Sequence, residues 1–218
     1  MRCIECTFLS DGSFDAALIP ILQWVMEEQL GIGSTRFAWA DLQRLPHPPR
    51  LLVERMVAAV TLYPCQILFV HRDAENQPAV KRYEEVQGAM ESVRQKGHKL
   101  PHVCVVPVRM SEAWLLLDEQ SIRLAAGNPG GTMSLEMPAY DRIEAMADPK
   151  VVLHSLLRTA SGLRHRRLKH FRPHREARLI PQYMADFSCL RVLSAFVKLE
   201  EDVRQVANSF LSEDDASC

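Results

Sequence analysis

The chain has 218 residues, 47% hydrophobic and 24% charged, with 26 Lys and Arg against 27 Asp and Glu. This is an ordinary globular composition, and a net charge of −1 leaves only local patches to attract a nucleic acid or a membrane surface. No apolar stretch approaches the roughly 20 residues of a spanning helix, and an N-terminus carrying Glu5 makes a poor secretory leader, so the expected location is cytoplasmic, with no membrane partner.

In chain order, a strand is expected over about 2–10. A helix follows from Phe14 to Leu30, with apolar residues at 14, 17, 18, 21, 22, 25 and 26 and a stop at Gly31 and Gly33. Thr35 to Ala40 is a second strand, and His47-Pro48-Pro49 opens a helix running through about Tyr63. A third strand covers 65–71. Pro78 to Gly97 reads as a charged, solvent-facing helix. His102 to Val108 is a fourth strand, and a further helix begins over Glu112 to Asp118, with Trp114 and Leu115 to Leu117 as core. Asp148-Pro149 supplies an N-cap and N1 proline for a helix over 149–160, and helices are expected at 174–184 and 189–209. This alternation predicts an α/β fold: a doubly wound, mostly parallel four-stranded sheet flanked by helices. The core is expected over 1–125, with a helical extension over 126–218 packed on it.

Six cysteines stand at 3, 6, 65, 104, 189 and 218. Cys3 and Cys6 form a lone C-x-x-C whose members face opposite sides of a strand. No second pair completes a zinc set, so reduced core thiols are expected.

Two apolar runs end in acids. Cys3 to Leu9 leads into Ser10-Asp11-Gly12-Ser13-Phe14-Asp15, and Gln66 to Val70 leads into His71-Arg72-Asp73-Ala74-Glu75. Ligands of open parallel sheets bind beyond the carboxyl ends of the strands. If the two strands are neighbours, four carboxylates share one crevice. Two carboxylates about 4 Å apart repel by roughly 4 kcal/mol at an effective dielectric near 20, so such a cluster holds a proton or recruits a divalent cation. A metal site of Asp11, Asp15, Asp73 and Glu75 is the expectation, with Asp73 and Glu75 facing one side if extended. The competing explanations are helix capping by Asp11 or Ser13, with Asp15 in the first turn, and a charged loop at 73–75. Glu112, just past the fourth strand, is a fifth candidate acid, against capping-box or surface roles. A kinase reading of His71-Arg72-Asp73 fails, because the following asparagine, D-F-G and glycine-rich loop are missing. No Walker A sequence is present.

The segment 158–178 carries eight Lys and Arg and three His against one acid, Glu176. It is either a solvated basic face or a contact surface for a phosphate backbone. Arg164, Arg166, Arg167, Lys169 and Arg172 are the candidate backbone contacts, with Arg72 and Arg109 nearer the strand ends. Phe171 and Tyr183 are aromatic residues available for stacking on bases. Acids at strand ends and a separate basic tract suit a metal-dependent enzyme acting on a polyanion, or a nucleotide binder.

The order strand–acid–Gly…Asp, then strand–D-x-D/E, resembles a TOPRIM domain. More specifically, "LSDGSFDAALIPIL", "LFVHRDAE", "VPVRMSEAWLLLDE", "DPKVVLHSLLRTASG" and "DFSCLRVLSAFVKLEEDV" resemble a bacterial TOPRIM-like family of formerly unknown function, to about residue 207. That family is similar to the nuclease effectors of PARIS-type anti-phage systems and to OLD nucleases. The resemblance implies a TOPRIM-like fold and a nuclease cleaving DNA or RNA with Mg2+ or Mn2+. It also implies an ABC-type ATPase as partner in anti-phage defence; a homodimer is a further expectation. Asp11 takes the place of the usual TOPRIM glutamate, Asp15 the acid one helical turn later, and Asp73 and Glu75 the D-x-D pair. Glu112 falls in the E-A-W signature. The catalytic set is then Asp11, Asp73, Glu75 and Glu112. The alternatives are a non-catalytic metal-binding interaction or sensor protein of the same fold, and a small-molecule phosphoesterase.

Overall fold

The computed structural model describes residues 3–31 and 35–215. Four strands form one all-parallel sheet: β1 (Ile4–Leu9), β2 (Thr35–Trp39), β3 (Ile67–His71) and β4 (His102–Val105), in the order β2-β1-β3-β4. The two central strands are apolar almost throughout because a parallel strand is covered on both faces. Every residue of β3 is buried, as are all but one of β1. The connecting helices are α1 (Ile19–Leu30), α2 (Leu52–Leu62) and α3 (Ala79–Gln95).

On one face, Met56 and Ala59 of α2 and Val86, Met90 and Val93 of α3 pack with Leu9, Leu68, Val70 and Cys104 of the sheet. The two-residue strand period turns Phe8, Phe69 and His71 to the other face. There Phe37 meets Phe69 edge-on, with ring centroids 4.9 Å apart. After β1 the chain moves outward to β2, then crosses back over β1 to β3. The order therefore reverses between β1 and β3, where open α/β sheets form their ligand crevice.

The strands lie where the sequence places them, and all four run parallel. The helix expected from Phe14 begins with a 3-10 turn over Asp15–Leu18 before α1. Gly31 ends α1 in a left-handed conformation (φ 61°), which only glycine adopts without steric cost. The helix expected from His47-Pro48-Pro49 begins only at Leu52; the prolines precede it, and the Leu51 N–H donates to the Glu54 carboxylate at 3.4 Å. Cys3, Cys6, Cys65, Cys104 and Cys189 are free thiols. Burial pushes the Cys6 thiol pKa far up and that of Cys104 up to about 12, with Cys65 and then Glu5 adding to the first and Asp202 to the second.

The chain divides into two compact units. The first runs to Val106 and resumes at Lys198; the second is Pro107–Val197. The expected boundary at 125 therefore moves to 106, and the C-terminal helix returns to the first unit instead of belonging to an extension.

The second unit holds three 3-10 segments (Ser111–Leu115, Tyr140–Arg142 and Ser188–Val192) and five helices: α4 (Glu119–Ala125), α5 (Pro149–Ala160), α6 (His165–His170), α7 (Pro173–Ala177) and α8 (Ile180–Tyr183). α9 (Ser194–Asp215) starts there and continues into the first unit. Trp114 is fully buried and meets Phe196 edge-on at 5.6 Å, and Leu115, Leu116 and Leu117 are buried beside it in sequence. Asp148 caps α5 as expected. Asp118 caps α4, accepting from the backbone N–H groups of Gln120 (2.9 Å) and Ser121 (3.2 Å) and from the Ser121 hydroxyl (2.5 Å). Asp118→Ala removes the acceptor of those donors and is expected to cost about 1 kcal/mol or more, since Ser121 is buried, read as a fall of a few degrees in Tm.

Candidate functional site

β1 and β3 are hydrogen-bonded neighbours, with Leu9 opposite Val70. Both acidic clusters therefore emerge on the same side of the switch point. The charge that fills the crevice differs from a bare carboxylate cluster, because three arginines and a histidine interleave with the acids.

Asp11 is the centre of this network. Its carboxylate accepts from Arg55 of α2 in a tight ion pair, and from Arg72 through both oxygens at 2.9 and 2.7 Å. Arg55 also donates to the Ser10 carbonyl at 2.6 Å. Partial burial opposes ionisation of Asp11, but the two guanidinium groups prevail and hold its pKa below the ordinary value of 3.8. Arg72 reaches on to Glu85 of α3 (2.9 Å). Arg82 joins Glu85 (3.0 Å), Glu75 (3.4 Å) and the Asp73 carbonyl (3.0 Å). The carboxylate repulsion is thus relieved by guanidinium groups supplied from α2, the end of β3 and α3.

The second centre is His71, the last residue of β3, with no side-chain exposure. Its Nδ1 lies 3.5 Å from Asp15 and its Nε2 lies 3.3 Å from Asp73. Both are ion-pair separations, not aligned hydrogen bonds. Phe8 covers the ring edge-on, with centroids 6.1 Å apart. Burial works against the charged imidazole, but Asp73 and then Asp15 outweigh it and raise its pKa above 6.5. Asp15 also accepts from the Gly12 N–H at 3.0 Å, which folds the D-G-S-F-D turn back on itself. Neither Asp11 nor Ser13 caps a helix: the 3-10 turn and α1 have no side-chain cap.

Asp73 and Glu75 do not face one side. Glu75 sits in a left-handed conformation (φ 54°) that turns the chain after Asp73, so Asp73 lies against His71 while Glu75 pairs with Arg82. A resident divalent cation needs several oxygen ligands drawn together. Among the described residues no three His, Cys, Asp or Glu side chains form such a group. In this arrangement Asp11 pairs with Arg55 and Arg72, and Glu75 pairs with Arg82.

Glu112 and Arg109 belong to the second unit. Glu112 is buried, not a surface residue, and its carboxylate lies 3.6 Å from the Lys150 ammonium. Arg109 holds a left-handed backbone (φ 65°) just before the 3-10 segment Ser111–Leu115. In the same unit, Arg164, Arg166, Arg167, Lys169 and Arg172 are all exposed on and around α6. The imidazole of His154 in α5 has its pKa lowered by burial and by Lys150, Arg158 and His174.

His71, Arg55, Arg82 and Glu85 were not singled out from the sequence as site residues. For His71 the available signal was a polar residue ending a wholly apolar strand. For Arg55, Arg82 and Glu85 there was none, since each reads as the solvent face of a helix. No family model matches the chain, and neither a curated protein nor a solved structure is found to be similar to it.

Proposed function

We propose that the chain is a nuclease that hydrolyses phosphodiester bonds of DNA or RNA at the crevice beyond β1 and β3. The supporting observation is the sharing of one carboxylate, Asp11, between Arg55 and Arg72 at the switch point. Such a guanidinium pair matches the negative charge of a phosphate, and each planar fork can meet two of its oxygens. A phosphate entering the crevice competes with Asp11 for both arginines and so releases a carboxylate beside the reacting group. His71, buried between Asp15 and Asp73, is a positioned imidazole whose pKa those carboxylates raise, and it is the candidate general acid–base group. The basic tract around α6 would hold the polynucleotide backbone.

A TOPRIM-like identity, dependence on Mg2+ or Mn2+, and work beside an ABC-type ATPase in anti-phage defence belong to this proposal. They rest on the motif resemblance. A homodimer and a cytoplasmic location are further parts of it.

The test is cleavage of end-labelled single-stranded DNA and RNA with Mg2+, with Mn2+ and with EDTA, comparing the wild type with Asp11→Asn. Asp11 is 42% exposed in its side chain, and asparagine keeps a side-chain oxygen for Arg55 and Arg72, so the fold should persist by circular dichroism. Activity is expected to fall about 100-fold or more. Full activity in Asp11→Asn overturns the assignment. Turnover of small phosphoesters in preference to polynucleotides replaces it with phosphoesterase chemistry.

A further inference from the structure

Beside Asp11, at the carboxyl ends of β1 and β2, lies a cavity of about 760 Å³. Its walls come from Ser10 to Gly12 after β1, from Trp39 to Gln43 after β2, from the 46–50 loop and from Arg55. The volume falls within the range of sites that enclose a whole small molecule, and it is far larger than one phosphate needs.

The charged residues on its walls, Asp11 and Asp41 against Arg50 and Arg55, balance in number but not in pairing. Asp41 is answered by Arg44 at 2.6 Å, and Asp11 by Arg55 and Arg72. Arg50 is exposed on the rim and makes no ion pair among the described residues. Both lining acids are thus engaged elsewhere, and Arg50 is the lining cation open to a bound anion. The other polar lining groups, Gln43 and His47, carry both donors and acceptors.

Trp39 is half-buried in this wall, and its indole N–H donates to the Ser10 hydroxyl at 3.1 Å. That bond fixes the ring, leaving an aromatic surface whose orientation need not be organised by a ligand. The opposing loop is stiffened by Pro46, Pro48 and Pro49, whose φ angles are locked. A preset aromatic wall and a stiff loop keep the entropy cost of binding low. Ring stacking, hydrogen-bonding groups and one spare cation, all within one nucleotide's reach of Asp11, are what a base joined to a phosphate requires.

We propose that this cavity binds one nucleotide, its base stacked on Trp39 and its phosphate held by Arg50, next to the carboxylate–arginine centre. As a subsite for the nucleotide flanking the scissile bond it rests on the nuclease reading. As a nucleotide-binding site it does not, and it is tested without turnover.

The experiment is titration of the full chain, in EDTA, with AMP, GMP, CMP and UMP, followed by calorimetry and tryptophan fluorescence. Saturable one-to-one binding is expected. Trp39→Ala should weaken it by about tenfold or more, the usual range for loss of a base-stacking ring, and Trp39→Phe should restore most of the loss. Arg50→Ala, on an exposed loop position that leaves β2 untouched, should weaken nucleotides by about tenfold while leaving the weaker binding of uncharged nucleosides unchanged. Inorganic phosphate competing as well as AMP reduces the site to a phosphate pocket and overturns the proposal. So does nucleotide binding indifferent to both Trp39→Ala and Arg50→Ala, or no binding at all. Binding without polynucleotide cleavage defeats the nuclease reading alone; cleavage without nucleotide binding defeats this inference alone.

Discussion

His71→Leu is expected to destabilise the first unit by about 3 kcal/mol or more, the usual cost of removing one partner from a buried ion pair. The histidine has no side-chain exposure, and Asp15, one of its two carboxylate neighbours, is only 8% exposed. Below the raised pKa, where the imidazole is charged, leucine fills the space but leaves Asp15 and Asp73 without a positive charge between them. Amide hydrogen exchange along β1 and β3 reads the loss in this unit separately from the second, which a global melt does not. A loss below about 1 kcal/mol would show that the imidazole is no ion-pair centre. The same group sets a pH dependence. Its pKa is raised on folding above 6.5, so its contribution is fully present below 6.5 and is lost as pH rises through the raised value. Asp11 acts at the other end. Its folded pKa is depressed below 3.8, so its contribution is present above 3.8 and is lost as pH falls through the depressed value. In His71→Leu the alkaline loss should vanish while the acid limb remains.

The acids of this site were legible because each ends an apolar strand, a pattern local to a few residues. Their partners were not. Arg55 lies 44 residues from Asp11 in sequence and sits one turn into α2, where a surface helix ordinarily carries charge. Arg82 and Glu85 belong to a helix that reads as solvated, and only the β1–β3 adjacency brings α3 to the crevice. The acids alone carry unrelieved repulsion, and the fold answers much of that charge with arginine. Helix ends show the same limit. α9 begins at Ser194, not near 189, because Glu144 caps it from 50 residues away, accepting from the Ser194 N–H at 3.1 Å, the Ser194 hydroxyl at 2.7 Å and the Ala195 N–H at 3.0 Å. Pro181 leaves α7 and α8 as two short turns where one helix over 174–184 was expected. The displaced unit boundary has a similar origin. From Lys198 onward α9 meets residues far away in sequence: the Lys198 ammonium lies 5.7 Å from the Tyr83 ring, and Arg204 donates to Gln29 at 2.9 Å.

Neutralising the basic tract should alter substrate capture without altering the chemistry at the crevice. Arg164, Arg166, Arg167, Lys169 and Arg172 are exposed, so replacing all five with glutamine removes charge without opening a cavity. If each meets one phosphate of a single strand, counterion release makes log K fall with log salt at about 0.7 per contact. The five substitutions should then flatten that slope by about 3.5. Between 50 and 200 mM salt the wild type should lose roughly 100-fold more affinity than the variant. Binding to labelled single-stranded DNA and RNA across that range measures both slopes. A variant whose slope matches the wild type would return the tract to an ordinary solvated face. Cleavage adds a second readout. Contacts that only hold the backbone bind ground state and transition state alike, so their loss raises KM and leaves kcat in place. A fall in kcat instead would mean that these side chains position the scissile phosphate itself.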